Sequence, residues 1–142
     1  MKTRTIFESD FDPKTPLKID KITIKWDYDE YPDIFYLQQE YEDCEPEERE
    51  KYKKQDALRL KRLNLGCWSF MSCKAEAELS YPTGFRCRRI FELTSGGLHG
   101  IESDSGADYL KSIELDELHN LADHIKTLVP HVSNLGDVSH DI

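Results

Sequence analysis

The stretch Thr94 to Gly106, "TSGGLHGIESDSG", concentrates the residue types that do chemistry. It holds four of the seven glycines, a lone histidine at His99, and the hydroxyl and carboxylate groups of Glu102, Ser103, Asp104 and Ser105. Glycines let backbone amides approach an anion. A Walker-type phosphate cradle, however, ends in Gly-Lys-Ser/Thr, and a dinucleotide fingerprint reads G-x-G-x-x-G between a strand and a helix. Gly97-x-x-Gly100 matches neither. Glu102 and Asp104 oppose phosphate unless a divalent cation intervenes; with Asp108 and the nearby His99 they offer a ligand set, but without the twelve-residue calcium-loop spacing. A small metal-dependent or hydrolytic enzyme would be centred here. The simpler expectation is structural: the glycines release the chain from a strand, and Ser103, Asp104 or Ser105 caps the next element.

Other candidates for chemistry are weaker. Asp116, His119 and Asp123 share one side of a terminal helix and could ligate a metal, yet with Lys126 they also make an ordinary polar stripe. No G-x-S-x-G nucleophile elbow is present. Cys44, Cys67, Cys73 and Cys87 contain no close C-x2-C or C-x4-C pair, so zinc is not expected, and they read as free thiols of a reducing compartment. No catalytic residue, metal or cofactor is assigned.

Charge is distributed unevenly along the chain, whose formal net value is −9. Residues 27–50 carry one base and eleven acids, interleaved with Tyr28, Tyr31, Phe35, Tyr36 and Tyr41. This field repels a polyanion, so direct binding to nucleic acid is not expected; Lys51 to Arg62 is the only basic run. A merely solvated face does not need five aromatics beside its acids, whereas an interface uses aromatic anchors with a charged rim. The residues expected to bind a protein partner are Asp27, Asp29, Glu30, Tyr31, Tyr36, Glu40, Tyr41, Glu42, Asp43, Glu47 and Glu48. Such a surface suits a basic groove that normally holds nucleic acid. A structural explanation competes, because the gradient from Glu45, Glu47 and Glu48 to Arg59, Lys61 and Arg62 follows a helix dipole.

The elements that must position these residues can be read from pattern. A chain of 142 residues is one domain's length and can bury a core without disulfides. Lys18 to Trp26 alternates as a half-buried strand with Ile19 out of step, and Thr3 to Phe7 makes a hairpin with it across Pro13 and Pro16. Pro32 and Pro46, each beside acids, predict helices over 33–43 and 46–64. Cys67 to Tyr81 and Phe85 to Ser95 read as two strands around a Pro82-Thr83-Gly84 loop. With Tyr81 facing Phe85, Leu79 meets Cys87, Ala77 meets Arg89, and the opposite face pairs Glu78 with Arg88. Cys73 and Cys87 are then not opposite, and Arg89 is the single charge on the apolar face. Leu118, Leu121, Ala122, Ile125, Leu128 and Val129 form the stripe of a helix over 115–129, while Tyr109 to Ile113 reads equally as strand or helical turn. The expected fold is α+β, a single domain with an antiparallel sheet of three to five strands and two or three helices packed on it. The tail 131–142 is expected to fray. No signal-peptide stretch or membrane span is visible, so a cytoplasmic monomer or homodimer is expected.

At "SGGLHGIESDSGADYL" the chain resembles small proteins of phages and mobile elements that carry an SGGLWGIESDS-like stretch after a strand hairpin. The resemblance covers roughly Tyr36 to Val129 and rests on Ser95, Gly96, Gly97, Leu98, Gly100, Ile101, Glu102, Ser103, Asp104, Ser105, Tyr109 and Leu110. His99 stands where that pattern has tryptophan. No catalytic residue is carried over. The resemblance implies a mobile-element context, in which short acidic proteins block host defence complexes, as an anti-CRISPR inhibitor with a nucleic-acid-mimicking surface does. A host regulatory or structural subunit is the other non-enzymatic expectation.

Overall fold

The computed structural model describes residues 2–128, 132 and 134–139. In chain order it contains β1 (Lys2–Glu8), β2 (Lys18–Tyr28), α1 (Pro46–Asn64), β3 (Phe70–Gly84), β4 (Cys87–Thr94), β5 (Leu98–Glu102), α2 (Ala107–Leu128) and α3 (Leu135–Ser139). The strands form one antiparallel sheet in the order β1-β2-β3-β4, and β5 also pairs with β3. Cys73 of β3 has Trp26 on one side and Leu98 on the other, so β4 and β5 succeed each other along the same side of β3. This is the expected α+β architecture.

One face of the sheet is apolar because β2 and β3 alternate. Ile22 and Ile24 lie beside Ala77 and Ala75 on this face, and all four are buried. Ile19 is out of step in sequence because Asp20 is an extra residue: Ile19 faces Leu79, and the next register pair is Lys21 with Glu78. This bulge returns Ile19 to the core face, where it is fully buried. The C-terminal tail holds the bulge in place. Asn134 accepts from the N–H of Ile19 at 2.8 Å and donates to its carbonyl at 2.9 Å, and Val138 of α3 is buried. Asn134 and Val138, in the tail expected to fray, are placed against the sheet; Val129 of the expected stripe and residues 131, 133 and 140–142 of the tail lie outside the described residues.

α2 covers this face through Ile113, Leu118, Leu121 and Ile125, each buried, at about 1.5–3 kcal/mol for a fully buried aliphatic side chain. It starts at Ala107, eight residues before the expected position, so Tyr109 to Ile113 is helical. Leu110 and Ile113 extend the apolar stripe, which was expected to begin only at Leu118. Glu117 interrupts that stripe. It is 4% exposed; Oε2 accepts from Asn120, and Oε1 has no partner among the described residues.

The hairpin of β3 and β4 has the expected strands and a different register. Tyr81 faces Arg89, Leu79 faces Phe91 and Ala77 faces Leu93, with the chain reversing at Phe85 and Arg86. Arg86 takes the left-handed φ of 56° at this turn, and Gly84 lies at the end of β3. The displacement is an even number of residues, so every side chain keeps its expected face, and Phe91 now packs beside Leu79. The predicted Glu78 with Arg88 pair is lost: Glu78 faces Glu92. Arg88 instead donates to Ser80 Oγ and to the carbonyls of Ser80, Asp12, Thr15 and Pro16, pinning the β1–β2 connection. Arg89 is exposed and reaches water. All four cysteines are free, and Cys73 has its thiol pushed up to about 12 by burial, with Glu114 and Glu117 adding to it.

The helix expected over 33–43 is a single 3-10 turn, Phe35–Leu37. The Asp33 carboxylate accepts from the N–H of Phe35, and Tyr41 has a φ of 55°, which no right-handed helix permits. The second predicted helix matches α1 over 46–64, with Pro46 at its start, Glu47 and Glu48 in the first turn and Lys61 and Arg62 in the last.

Candidate partner-binding site

α1 buries none of its residues fully, so something other than an apolar stripe must hold it. A small second core of Leu37, Trp68 and Phe70, flanked by Ile34, Leu60 and Leu63, joins the 3-10 turn and the end of α1 to the start of β3. Arg59 lies at its rim. The guanidinium stacks 3.7 Å from the Trp68 ring centre, and Trp68 Nε1 donates to the Arg59 carbonyl at 3.0 Å. Arg59 then donates through Nη1 and Nη2 to Asp104, at 2.5 and 2.6 Å, and through Nη2 to Glu102 at 2.7 Å. Tyr36 donates its hydroxyl to Glu102. The guanidinium holds the Asp104 carboxyl below its usual range, and desolvation with the Glu102 hydrogen bond raises the Tyr36 hydroxyl. Both carboxylates of the glycine-rich stretch are thus bound to one arginine.

The rest of that stretch is architectural. Thr94 ends β4, and Ser95 continues the edge, its N–H donating to Ala75 O and its hydroxyl accepting from Ala75 N. Gly96 and Gly97 then take positive φ, and the chain resumes as β5, a strand that the sequence pattern did not predict. A Cβ on Gly97 would lie 3.3 Å from both Cys73 O and Lys74 Cβ, so this crossing admits only glycine without a shift. Ser103 exchanges bonds with Ser69, its N–H donating to the Ser69 carbonyl and its hydroxyl accepting from the Ser69 N–H. Ser105 donates to the Glu102 carbonyl. The expected capping of α2 is therefore corrected: Ser103, Asp104 and Ser105 are engaged with Ser69, Arg59 and Glu102. His99 is exposed and lines a shallow concavity with Asp29, Tyr31, Asp33 and Gly100.

The acidic and aromatic candidates separate into anchors and a free surface. Asp27 sits opposite Ser72 in the ladder, and Asp29 accepts from the Gly100 N–H at 3.0 Å, tying this segment to β5. Glu40 pairs with Lys53 at 2.7 Å, and Tyr41 is half-buried with its hydroxyl on Asp56. Tyr36 is bound to Glu102 as above. Glu30, Glu42, Asp43, Glu47 and Glu48 are exposed, and their side chains have no hydrogen-bond or ion-pair partner among the described residues. Between them stand three aromatic rings that pack against little: Tyr31 is 90% exposed, Phe35 68% and Tyr28 64%.

The helix trio Asp116, His119 and Asp123 is exposed, and among the described residues no group of three His, Cys, Asp or Glu is placed to hold a metal. Among the described residues, no helix is long and apolar enough to cross a membrane. Arg59, Trp68 and Ser69 were not singled out in the sequence. Arg59 belongs to a basic run already explained by the helix dipole, and only the fold brings it to Asp104, 45 residues away. No protein-family model matches this chain, and no curated protein or solved structure is significantly similar to it.

Proposed function

We propose that this chain is a non-enzymatic binding protein whose acidic and aromatic segment, residues 27–48, docks on a basic protein surface. The carrying observation is that Tyr28, Tyr31 and Phe35 stand exposed among unpaired carboxylates on a segment held in place by specific bonds. Exposed aromatics lower the free energy of the isolated chain little, whereas an interface uses them as anchors. The bonds beneath, Asp29 on Gly100 and Tyr36 on Glu102, limit the ordering cost on binding. The carboxylates give the on-rate and the preference for a cationic groove. The resemblance to mobile-element proteins makes the partner a nucleic-acid-handling defence complex of the host, with the chain as its inhibitor.

Affinity capture from a host lysate tests this with three baits run side by side. The native chain is compared with a charge variant (Glu30→Lys, Glu42→Lys, Asp43→Lys, Glu47→Gln, Glu48→Gln) and an aromatic variant (Tyr31→Ala, Phe35→Ala). Proteins retained by the native bait, lost by both variants and released by salt support the reading. Equal retention on all three overturns it. Glutamine is chosen at 47 and 48 because a lysine in the first turn would also oppose the α1 dipole.

A further inference from the structure

The concavity beside β5, of about 440 Å³, is lined by Asp29, Tyr31, Asp33, His99 and Gly100. Both of its carboxylates are fixed by backbone donors. Asp29 accepts from the N–H of Tyr31 at 3.2 Å and from that of Gly100 at 3.0 Å, and Asp33 accepts from the N–H of Phe35 at 2.9 Å. An ionised carboxylate offers about four acceptor positions, so each keeps capacity for a further donor. Neither forms an ion pair among the described residues, and no lysine or arginine lines the concavity. The Tyr31 ring stands 90% exposed beside them. Two fixed, uncompensated carboxylates next to a bare aromatic face are what a guanidinium requires: acceptors for its planar fork and a ring on which its face can stack.

We propose, resting on the docking read for residues 27–48, that this concavity receives an arginine side chain of the partner, its guanidinium bonded to Asp29 and Asp33 and stacked on Tyr31. The chain already holds one arginine with the same parts. Arg59 lies 3.7 Å from the Trp68 ring centre and donates to both Asp104 and Glu102, two carboxylates and a ring around one guanidinium. Lysine fits less well. Its ammonium is a strongly hydrated point charge without a flat face, whereas the guanidinium is weakly hydrated and can bond in its plane while stacking across it. His99, exposed on β5, adds a second flat ring among the lining groups. The fixed carboxylates also leave little ordering to be done when the guanidinium arrives.

An NMR titration of the full chain with the peptide acetyl-Gly-Arg-Gly-amide tests this without the partner. The amides of Tyr31, Phe35 and Gly100 report directly, since their N–H groups bond to the two carboxylates. Saturable shifts at these amides are expected, with acetyl-Gly-Lys-Gly-amide binding at least about threefold more weakly. Asp33→Asn keeps an oxygen for the Phe35 N–H and removes the charge, and Tyr31→Ala removes the ring. Each should weaken the arginine peptide by a similar factor, while Tyr31→Phe binds it as the native chain does. Any of three results overturns the proposal: shifts that fail to saturate, a lysine peptide bound equally well, or an affinity unchanged in Asp33→Asn and Tyr31→Ala. Lysate capture decides the docking itself separately. Proteins lost by the charge variant, from a chain that fails this titration, would place the docking elsewhere on residues 27–48.

Discussion

The guanidinium of Arg59 in α1 grips both carboxylate oxygens of Asp104, which lies two residues beyond the end of β5. This contact and its neighbours fasten the 27–68 excursion to the sheet. Arg59→Ala should cost about 1–3 kcal/mol, since it removes charge-assisted bonds and the stack on Trp68 from a partly exposed network. Hydrogen exchange locates the effect: amides of α1 should exchange faster while those of β2 and β3 keep their protection. Arg59 lowers the proton affinity of Asp104, so the folded chain takes up that proton at lower pH than the unfolded one. The contribution is complete above about pH 4 and fades as pH falls through the depressed value. The stability gap between native chain and Asp104→Asn should narrow over that acid range.

Asn134 spans both backbone groups of Ile19 at the β2 bulge. Asn134→Ala leaves a buried N–H without its acceptor and should lower stability by about 1–3 kcal/mol. Denaturant unfolding measures this, and a change within error would mean that the contact adds nothing in solution.

Gly97 lies against β3 at a φ of 88°, where a Cβ would crowd Cys73 O and Lys74 Cβ, each at 3.3 Å. Gly97→Ala should lower stability by at least about 1 kcal/mol, whereas Gly84→Ala, where the added methyl meets open space, should change it little. Thermal melts of the two variants side by side separate the requirement at Gly97 from a general cost of losing glycine.

Glu117 occupies a core-facing position of α2 with one oxygen unpartnered among the described residues. Glu117→Leu removes a buried polar group with an unpartnered oxygen and frees only the exposed Asn120 amide, so melting temperature should rise, by the equivalent of about 1–3 kcal/mol. A fall would contradict the reading of Glu117 as an uncompensated group in the core.

Elements with complete local signals were legible in the sequence. α1 has its proline, acidic first turn and basic last turn, and β2 has its alternation, even to the out-of-step Ile19 that marks a bulge. The 33–43 segment shows why a start signal alone is insufficient. Pro32 and its acids suggested a helix, but Ile34 and Leu37 serve a local cluster with Trp68 and Phe70, and the chain turns away at Tyr41. The β3–β4 register was decided by the turn at Phe85 and Arg86 and by Phe91 packing beside Leu79, so the expected Pro82-Thr83-Gly84 loop was the wrong guide while face assignment survived. At the site, the acids and aromatics of 27–48 were legible as residue types. Which of them are spent on Gly100, Glu102, Lys53 and Asp56 depends on contacts between distant segments, which no local pattern contains.

Tyr31 and Phe35 are the anchors on which the proposed interface depends. With a captured partner purified, the equilibrium dissociation constant for the native chain is compared with that for Tyr31→Ala, Phe35→Ala. Binding at least about tenfold weaker is expected for the variant, the loss that accompanies removal of an interface anchor worth about 1.4 kcal/mol or more. Equal affinity, with the variant's melting temperature unchanged, would contradict the proposed role of the two rings.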